Sequence, residues 1–101
     1  MATFGERLRQ LRHEKKLGQK AIAGLLNVSI SSIGKYENEE RTPSPSAINK
    51  LADFFQVSTD YLFGRSEIRD PVIIDIMSNL PEEAKEKIED YIIFINQQYQ
   101  K

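Results

Sequence analysis

Gln19 to Asn38 reads QKAIAGLLNVSISSIGKYEN, and the fold turns on this stretch. Ile22, Leu25 and Leu26 are spaced for one face of a short helix, and Asn27, a residue that tolerates the left-handed conformation, stops it. After Val28, Ser29 is placed to cap a second short helix with its side-chain oxygen. Two short helices joined by a tight turn follow from these residues.

On the second helix Ile30, Ser31, Gly34, Lys35 and Asn38 share one stripe, while Ser29, Ile33, Tyr36 and Glu37 share another. One stripe packs and the other reaches out. The outward one holds small groups, a cation and an amide, which suits a helix lying close to another polar surface. That arrangement is the helix-turn-helix, whose second helix enters the major groove of DNA.

Upstream, Thr3 to Glu6 (TFGE) has the spacing of a capping box and predicts a first helix from Phe4 to Lys16, with Phe4, Leu8 and Leu11 inward. Arg7, Arg9, Arg12, Lys15 and Lys16 decorate it, and most of them read as a solvated charged face. Leu17 and Gly18 make the next turn, with Gly18 an acceptable but weaker N-cap. Downstream, Ser44-Pro45 is a cap followed by proline at the first helical position. The helix it opens carries Ile48, Leu51, Ala52 and Phe55 inward and ends near Gln56. Ser58 caps a short helix over residues 59–63, stopped by Gly64. With Ile22, Leu25, Leu26, Val28 and Ile33, these apolar residues predict one core that is complete by Gly64.

Arg65 to Asp70 (RSEIRD) is polar and precedes Pro71, so it reads as a linker or helix junction. Ile73, Ile76, Met77 and Leu80 then keep helical spacing. A last helix runs from Pro81 to Gln98, with Glu82 and Glu83 in its first turn. Its positions Ala84, Ile88, Tyr91, Ile92, Ile95 and Tyr99 make an apolar stripe that Ile93 and Phe94 widen. A helix with that much apolar surface needs a cover. Self-association is the favoured cover, over docking on the chain's own core, with Ile73, Ile76, Met77, Ile88, Tyr91, Ile92 and Ile95 as the dimerisation residues.

The run from LGQKAIAGLLNVSISSIGKYEN through RTPS to LADFFQVSTDYLFG resembles the Cro/C1-type (XRE) helix-turn-helix regulators of phages and bacteria, over about the first two-thirds of the chain. The resemblance implies an all-α fold: a five-helix repressor-like domain over residues 1–66 and a helical extension over residues 67–101. It implies that Arg12 pairs with Glu37 and clamps the recognition helix to the first helix. It also implies that Gln19 meets a DNA phosphate, as helix N-termini favour. The family usually follows its Glu-Asn pair with Gly and basic residues along the DNA backbone. Here Glu39 and Glu40 stand there, which should weaken affinity or move the contact to Arg41.

A net charge of −1 at pH 7 argues against a nucleic-acid binder until its distribution is read. Through Ser66 there are ten Lys and Arg against seven Asp and Glu; from Glu67 onward there are four against eight. A basic front and an acidic tail point to different partners. The absence of cysteine excludes a disulfide framework and a thiolate metal site. His13, the sole histidine, has only Glu14 beside it, so no metal site, cofactor or catalytic pair is expected and the chain does not read as an enzyme. No stretch has the apolar length of a signal peptide or a membrane span, so the expected location is the cytoplasm.

These readings converge on a sequence-specific regulator of double-stranded DNA, a repressor acting as a homodimer on a palindromic operator. Lys35 is expected to bond a guanine edge, Ser31 to donate or accept flexibly, and Ile30 to meet a thymine methyl. Gln19, Ser29, Asn38 and Arg41 are expected on phosphates. The rival is a protein-interaction module of the same fold, an antitoxin or adaptor, favoured by Glu39 and Glu40. An antagonist protein could also dock on the C-terminal helices.

Overall fold

The Thr3 hydroxyl accepts the Glu6 N–H at 3.2 Å, and the Glu6 carboxylate accepts the Thr3 N–H at 3.1 Å, closing the capping box. It opens α1, Phe4–Glu14, in a computed structural model that describes residues 2–99. Then come α2 (Gln19–Leu26), α3 (Ile30–Glu37), α4 (Pro45–Phe55), α5 (Thr59–Leu62), α6 (Pro71–Met77) and α7 (Glu82–Tyr99). The described residues contain helices and no strand.

Each of the first five helices ends by one device. Lys16, Asn27, Glu39 and Gln56 take positive φ of 55–64°, and Gly64 takes +74°. The next N–H then reaches back to a carbonyl of the last turn: Leu17 to Arg12, Val28 to Ala23, Glu40 to Lys35, Val57 to Ala52 and Arg65 to Asp60, at 2.8–3.0 Å. Only one of these positions uses glycine. Asn27 tolerates the left-handed region, which costs other side-chain-bearing residues roughly 1–2 kcal/mol, so at Lys16, Glu39 and Gln56 the surrounding packing must hold the turn. This stop also ends α1 two residues before the expected Lys16.

The fully buried side chains Leu8, Leu11, Ile22, Ile33, Leu51 and Leu62 come from all five helices. Each such side chain contributes about 1.5–3 kcal/mol on leaving water. Phe4, Ala23, Leu26, Tyr36, Ile48, Ala52, Phe55, Val57 and Tyr61 extend the cluster, with Leu25 and Val28 packed at its edge. α1 meets α3 so closely near Gly5 that a methyl group there would overlap the Glu37 carbonyl oxygen.

Residues 65–70, expected as a linker or helix junction, form a junction fastened to the first five helices. Ile68 is buried, the Ser58 N–H donates to the Arg69 carbonyl at 2.8 Å, and the Ser58 hydroxyl donates to the Ile68 carbonyl at 3.2 Å. By contact this strap belongs to the first five helices, although its sequence position put it in the extension.

The extension itself, described through Tyr99, adds α6 and α7. Ile73, Ile76 and Tyr91 of the expected interface set are exposed, as are Val72 and Phe94. Met77 departs from that expectation: it is buried within the chain, so it is not available to a partner in this conformation. Ile88, Ile92 and Ile95 are half-buried, and α7 contributes no fully buried residue. Ile95, Asn96 and Tyr99 face Arg7, Gln10 and Glu14 of α1 across a cavity of about 230 Å³. No helix among the described residues is long and apolar enough to cross a membrane.

Candidate nucleic-acid interface

Ser29 starts α3 by accepting the Ser32 N–H on its side-chain oxygen at 3.2 Å, which turns the chain from α2 into the new helix. Ile33, Tyr36 and Glu37 face inward, as their stripe predicts, and Ser32 joins them. Ser29 does not: it stays exposed as the cap, with its hydroxyl 2.9 Å from that of Ser32 and 3.1 Å from that of Ser31. The opposite side of α3 presents Ile30, 49% exposed, with Ser31 and Lys35 exposed beside it. Lys35 makes no ion pair among the described residues.

Gly34 lies half-exposed between them, and a Cβ built there would meet only the Gln19 amide nitrogen, at an ordinary 3.9 Å. The fold therefore has room for a methyl at this position.

The orientation of α3 is held by a carboxylate placed inside the domain. Glu37 accepts from Arg12 twice, Nε to Oε2 at 2.8 Å and Nη2 to Oε1 at 3.0 Å, and Arg12 also donates through Nη1 to the Leu17 carbonyl at 3.0 Å. The Gln19 amide donates to the same carboxylate at 3.2 Å, and Arg9 Nε lies 3.5 Å away. Burial alone would raise the Glu37 carboxyl, but the hydrogen bonds from Arg12 and Gln19 and the nearby guanidinium charges outweigh it and hold the group below its ordinary value. One carboxylate thus ties α1, α2 and α3 together.

The four expected phosphate residues divide between engaged and open. Gln19, at the start of α2, is half-buried and spends one amide hydrogen on Glu37. Asn38, the C-cap of α3, accepts from Arg9 Nη2 at 3.3 Å on its carbonyl oxygen, and its amide hydrogens have no partner among the described residues. Ser29 caps its helix, and Arg41 is exposed.

Glu39 has a task that sequence reasoning missed. Its carboxylate accepts the Gly5 N–H, so it caps the first turn of α1 from a distance of 34 residues. A negative group there also complements the helix dipole. Arg7 was missed as well: it is 4% exposed, where a solvated face was expected. Neither residue carries a local signal, because its partner lies far along the chain. Glu14, the neighbour of His13, bonds Arg69 instead, and no group of three potential metal ligands occurs among the described residues.

Residues 5–67 match the helix-turn-helix domain family. The HTH-type transcriptional regulator ImmR of Bacillus subtilis (strain 168) is 31% identical over 96 residues, 93% of this chain and 76% of that protein. The chain spans only 62% and 60% of two further Bacillus subtilis regulators. The P22 c2 repressor protein, solved in complex with synthetic operator 9T, is similar at a TM-score of 0.61 and 30% identity over 65% of this chain and all of that one. A transcriptional regulator from Listeria innocua gives a TM-score of 0.61 at 29% identity, covering 98% of this chain and 97% of its own, so that likeness runs on through α6 and α7. With the family match spanning the five helices and the repressor likeness spanning the same segment, the chain belongs to the Cro/C1-type helix-turn-helix family of DNA-binding transcriptional regulators.

Proposed function

We propose that this chain is a repressor that binds a palindromic operator as a two-fold homodimer, with α3 as the recognition helix in the major groove. The observation that carries the reading is the outward stripe of α3, in which Ile30, Ser31 and the unpaired Lys35 surround a glycine that the fold does not need. Lys35 bonds a guanine edge, Ser31 acts as a flexible donor or acceptor, and Ile30 meets a thymine methyl. Gln19, Ser29, Asn38 and Arg41 hold phosphates and set register. Arg12 and Glu37 clamp α3 so that these groups arrive together.

Dimerisation is assigned to the extension, through the exposed Ile73, Ile76 and Tyr91, with Phe94 also exposed on α7. Exposed apolar side chains of this number on the two helices of the extension suit an interaction surface. In such a dimer two copies of α3 enter successive major grooves roughly 34 Å apart. An antagonist protein that covers the same face would compete with assembly. The regulator acts on double-stranded DNA in the cytoplasm.

The interaction-module reading, in which the acidic apolar tail binds another protein, was favoured by Glu39 and Glu40 standing along the DNA backbone. The engagement of Glu39 with the N-terminus of α1 gives that residue a role within the fold, although its charge stays exposed. Selection of bound duplexes from a random pool at moderate salt, with light scattering in parallel, separates the two readings. A palindrome with half-sites about one turn apart and a dimer mass supports the repressor; no enrichment by folded protein sinks it.

A further inference from the structure

The strap between α5 and α6 is fastened to α1 by charges of alternating sign. Arg7 and Glu14 stand two helical turns apart on α1, and they meet Glu67 and Arg69, two residues apart on the strap. Arg7 Nη2 lies 3.0 Å from Glu67 Oε1. Arg69 grips Glu14 with both terminal nitrogens, at 2.8 and 3.3 Å. Between the two pairs the Tyr61 ring takes the Arg7 guanidinium 3.9 Å from its centroid and that of Arg69 at 5.3 Å. Ile68 is buried between the two strap charges.

Stability alone does not account for this choice of residues. Arg7 is 4% exposed, and its Nε is buried with no hydrogen-bond partner. A charge buried with one donor unsatisfied adds little to stability compared with an apolar side chain of similar size, and its better-attested use is to fix one arrangement among several. The arrangement fixed here is the path by which the chain leaves the five-helix domain. On a different face the same helix holds α3, through Arg9 and Arg12 on Glu37. α1 is therefore a bar with the recognition helix fastened to one side and the root of the extension to the other.

We propose that Arg7, Glu14, Glu67 and Arg69 form a latch that sets the direction of α6 and α7 relative to α3, and through it the half-site spacing a dimer accepts. This rests on the reading of the protein as a dimer assembled through its extension. A stiff connection concentrates the second recognition helix at one position along the duplex, and a loosened one spreads it over several. The four residues are positioning residues for specificity and touch no base themselves.

The test uses full-length protein and duplexes carrying the selected half-site in inverted pairs, with the spacer varied one base pair at a time. The wild type should prefer one spacer sharply. The double variant Glu67→Gln, Arg69→Ala, altered only on the strap, should bind the preferred spacer roughly tenfold more weakly and lose its discrimination against neighbouring spacers. Its dimer mass and its affinity for a single half-site should not move. The charge swap Glu14→Arg with Arg69→Glu keeps opposite signs in contact and should recover part of the preference. A folded double variant with the wild-type spacer profile overturns the latch and leaves the dimer standing. Loss of single half-site affinity would assign these residues to the domain's folding and also overturns it. A monomeric wild type overturns the dimer reading and the latch together.

Discussion

Arg12 Nε donates to Glu37 Oε2 at 2.8 Å with both side chains almost fully removed from water, the Glu37 side chain being 1% exposed. An exposed pair of the same length would contribute between nothing and about 1 kcal/mol. Here the Coulombic gain mainly offsets desolvation, and the contribution to function is the orientation of α3. Removing one partner is a different matter, because the other charge is left buried.

Arg12→Ala should therefore destabilise the fold by about 3–5 kcal/mol. Replacing both residues, Arg12→Met with Glu37→Leu, should cost much less, because no charge is stranded. Urea unfolding of the two variants checks the difference; equal losses would mean that the pair is a net source of stability.

Acid should weaken the same site. Glu37 has its carboxyl held below the ordinary value of 4.5, so at neutral pH it is ionised in both folded and unfolded chains and its stabilisation is fully present. Below about pH 4.5 the unfolded chain takes up the proton first, and stability falls until the folded group is protonated as well. The unfolding midpoint should decline across that window. Glu6, lowered by its hydrogen bonds to Thr3, loses its contribution in the same direction. The paired Arg12→Met, Glu37→Leu variant should show a shallower decline, and an identical profile would remove Glu37 as the cause.

Gly34→Ala distinguishes a glycine kept for folding from one kept for a partner. Alanine inside a helix is favoured by roughly 0.5–1 kcal/mol, and the space for its methyl is open. The midpoint of thermal unfolding should rise while affinity for the selected operator falls. A variant more stable and undiminished in binding would show that DNA does not approach α3 at this point.

Lys35→Ala should cost about 1–3 kcal/mol of operator affinity and relax preference at one base pair. Binding curves on duplexes altered singly across the half-site read this directly. A uniform loss on every duplex, with a shallower salt dependence, would move Lys35 from base edge to phosphate.

Deletion of residues 71–101 should give a folded monomer that binds a full operator poorly. The cut falls after Ile68 and Arg69, so the five-helix core and the strap's hydrogen bonds to Ser58 are kept, while buried Met77 is lost. Sedimentation and circular dichroism test the two halves of the statement. A dimer that survives the cut would place the interface within the first five helices.

Much of this protein is legible in its sequence because the relevant forces act within a few residues. Thr3 with Glu6, Ser29, Ser44 with Pro45, and Ser58 announce four helix starts, since an N-cap bonds an amide two or three positions on. The spacing of Leu8, Leu11, Ile22, Leu26 and Ile33 marks the buried faces, because periodicity is a property of one helix at a time. The division of α3 into Ile33, Tyr36 and Glu37 on one side and Ile30, Ser31 and Lys35 on the other follows from the same rule.

Tertiary structure decided which charged side chains are spent inside the molecule. Arg7 and Arg9 look alike in the sequence, yet Arg7 is buried under Tyr61 with a partner 60 residues away, while Arg9 stays partly open beside Glu37. Glu39 and Glu40 are adjacent, and only Glu39 reaches the N-terminus of α1. Met77 and Ile68 are buried by neighbours that no local pattern names. A guanidinium or carboxylate is indifferent to its position along a helix until another element arrives with the opposite charge, and the placing of that element is a property of the packed core.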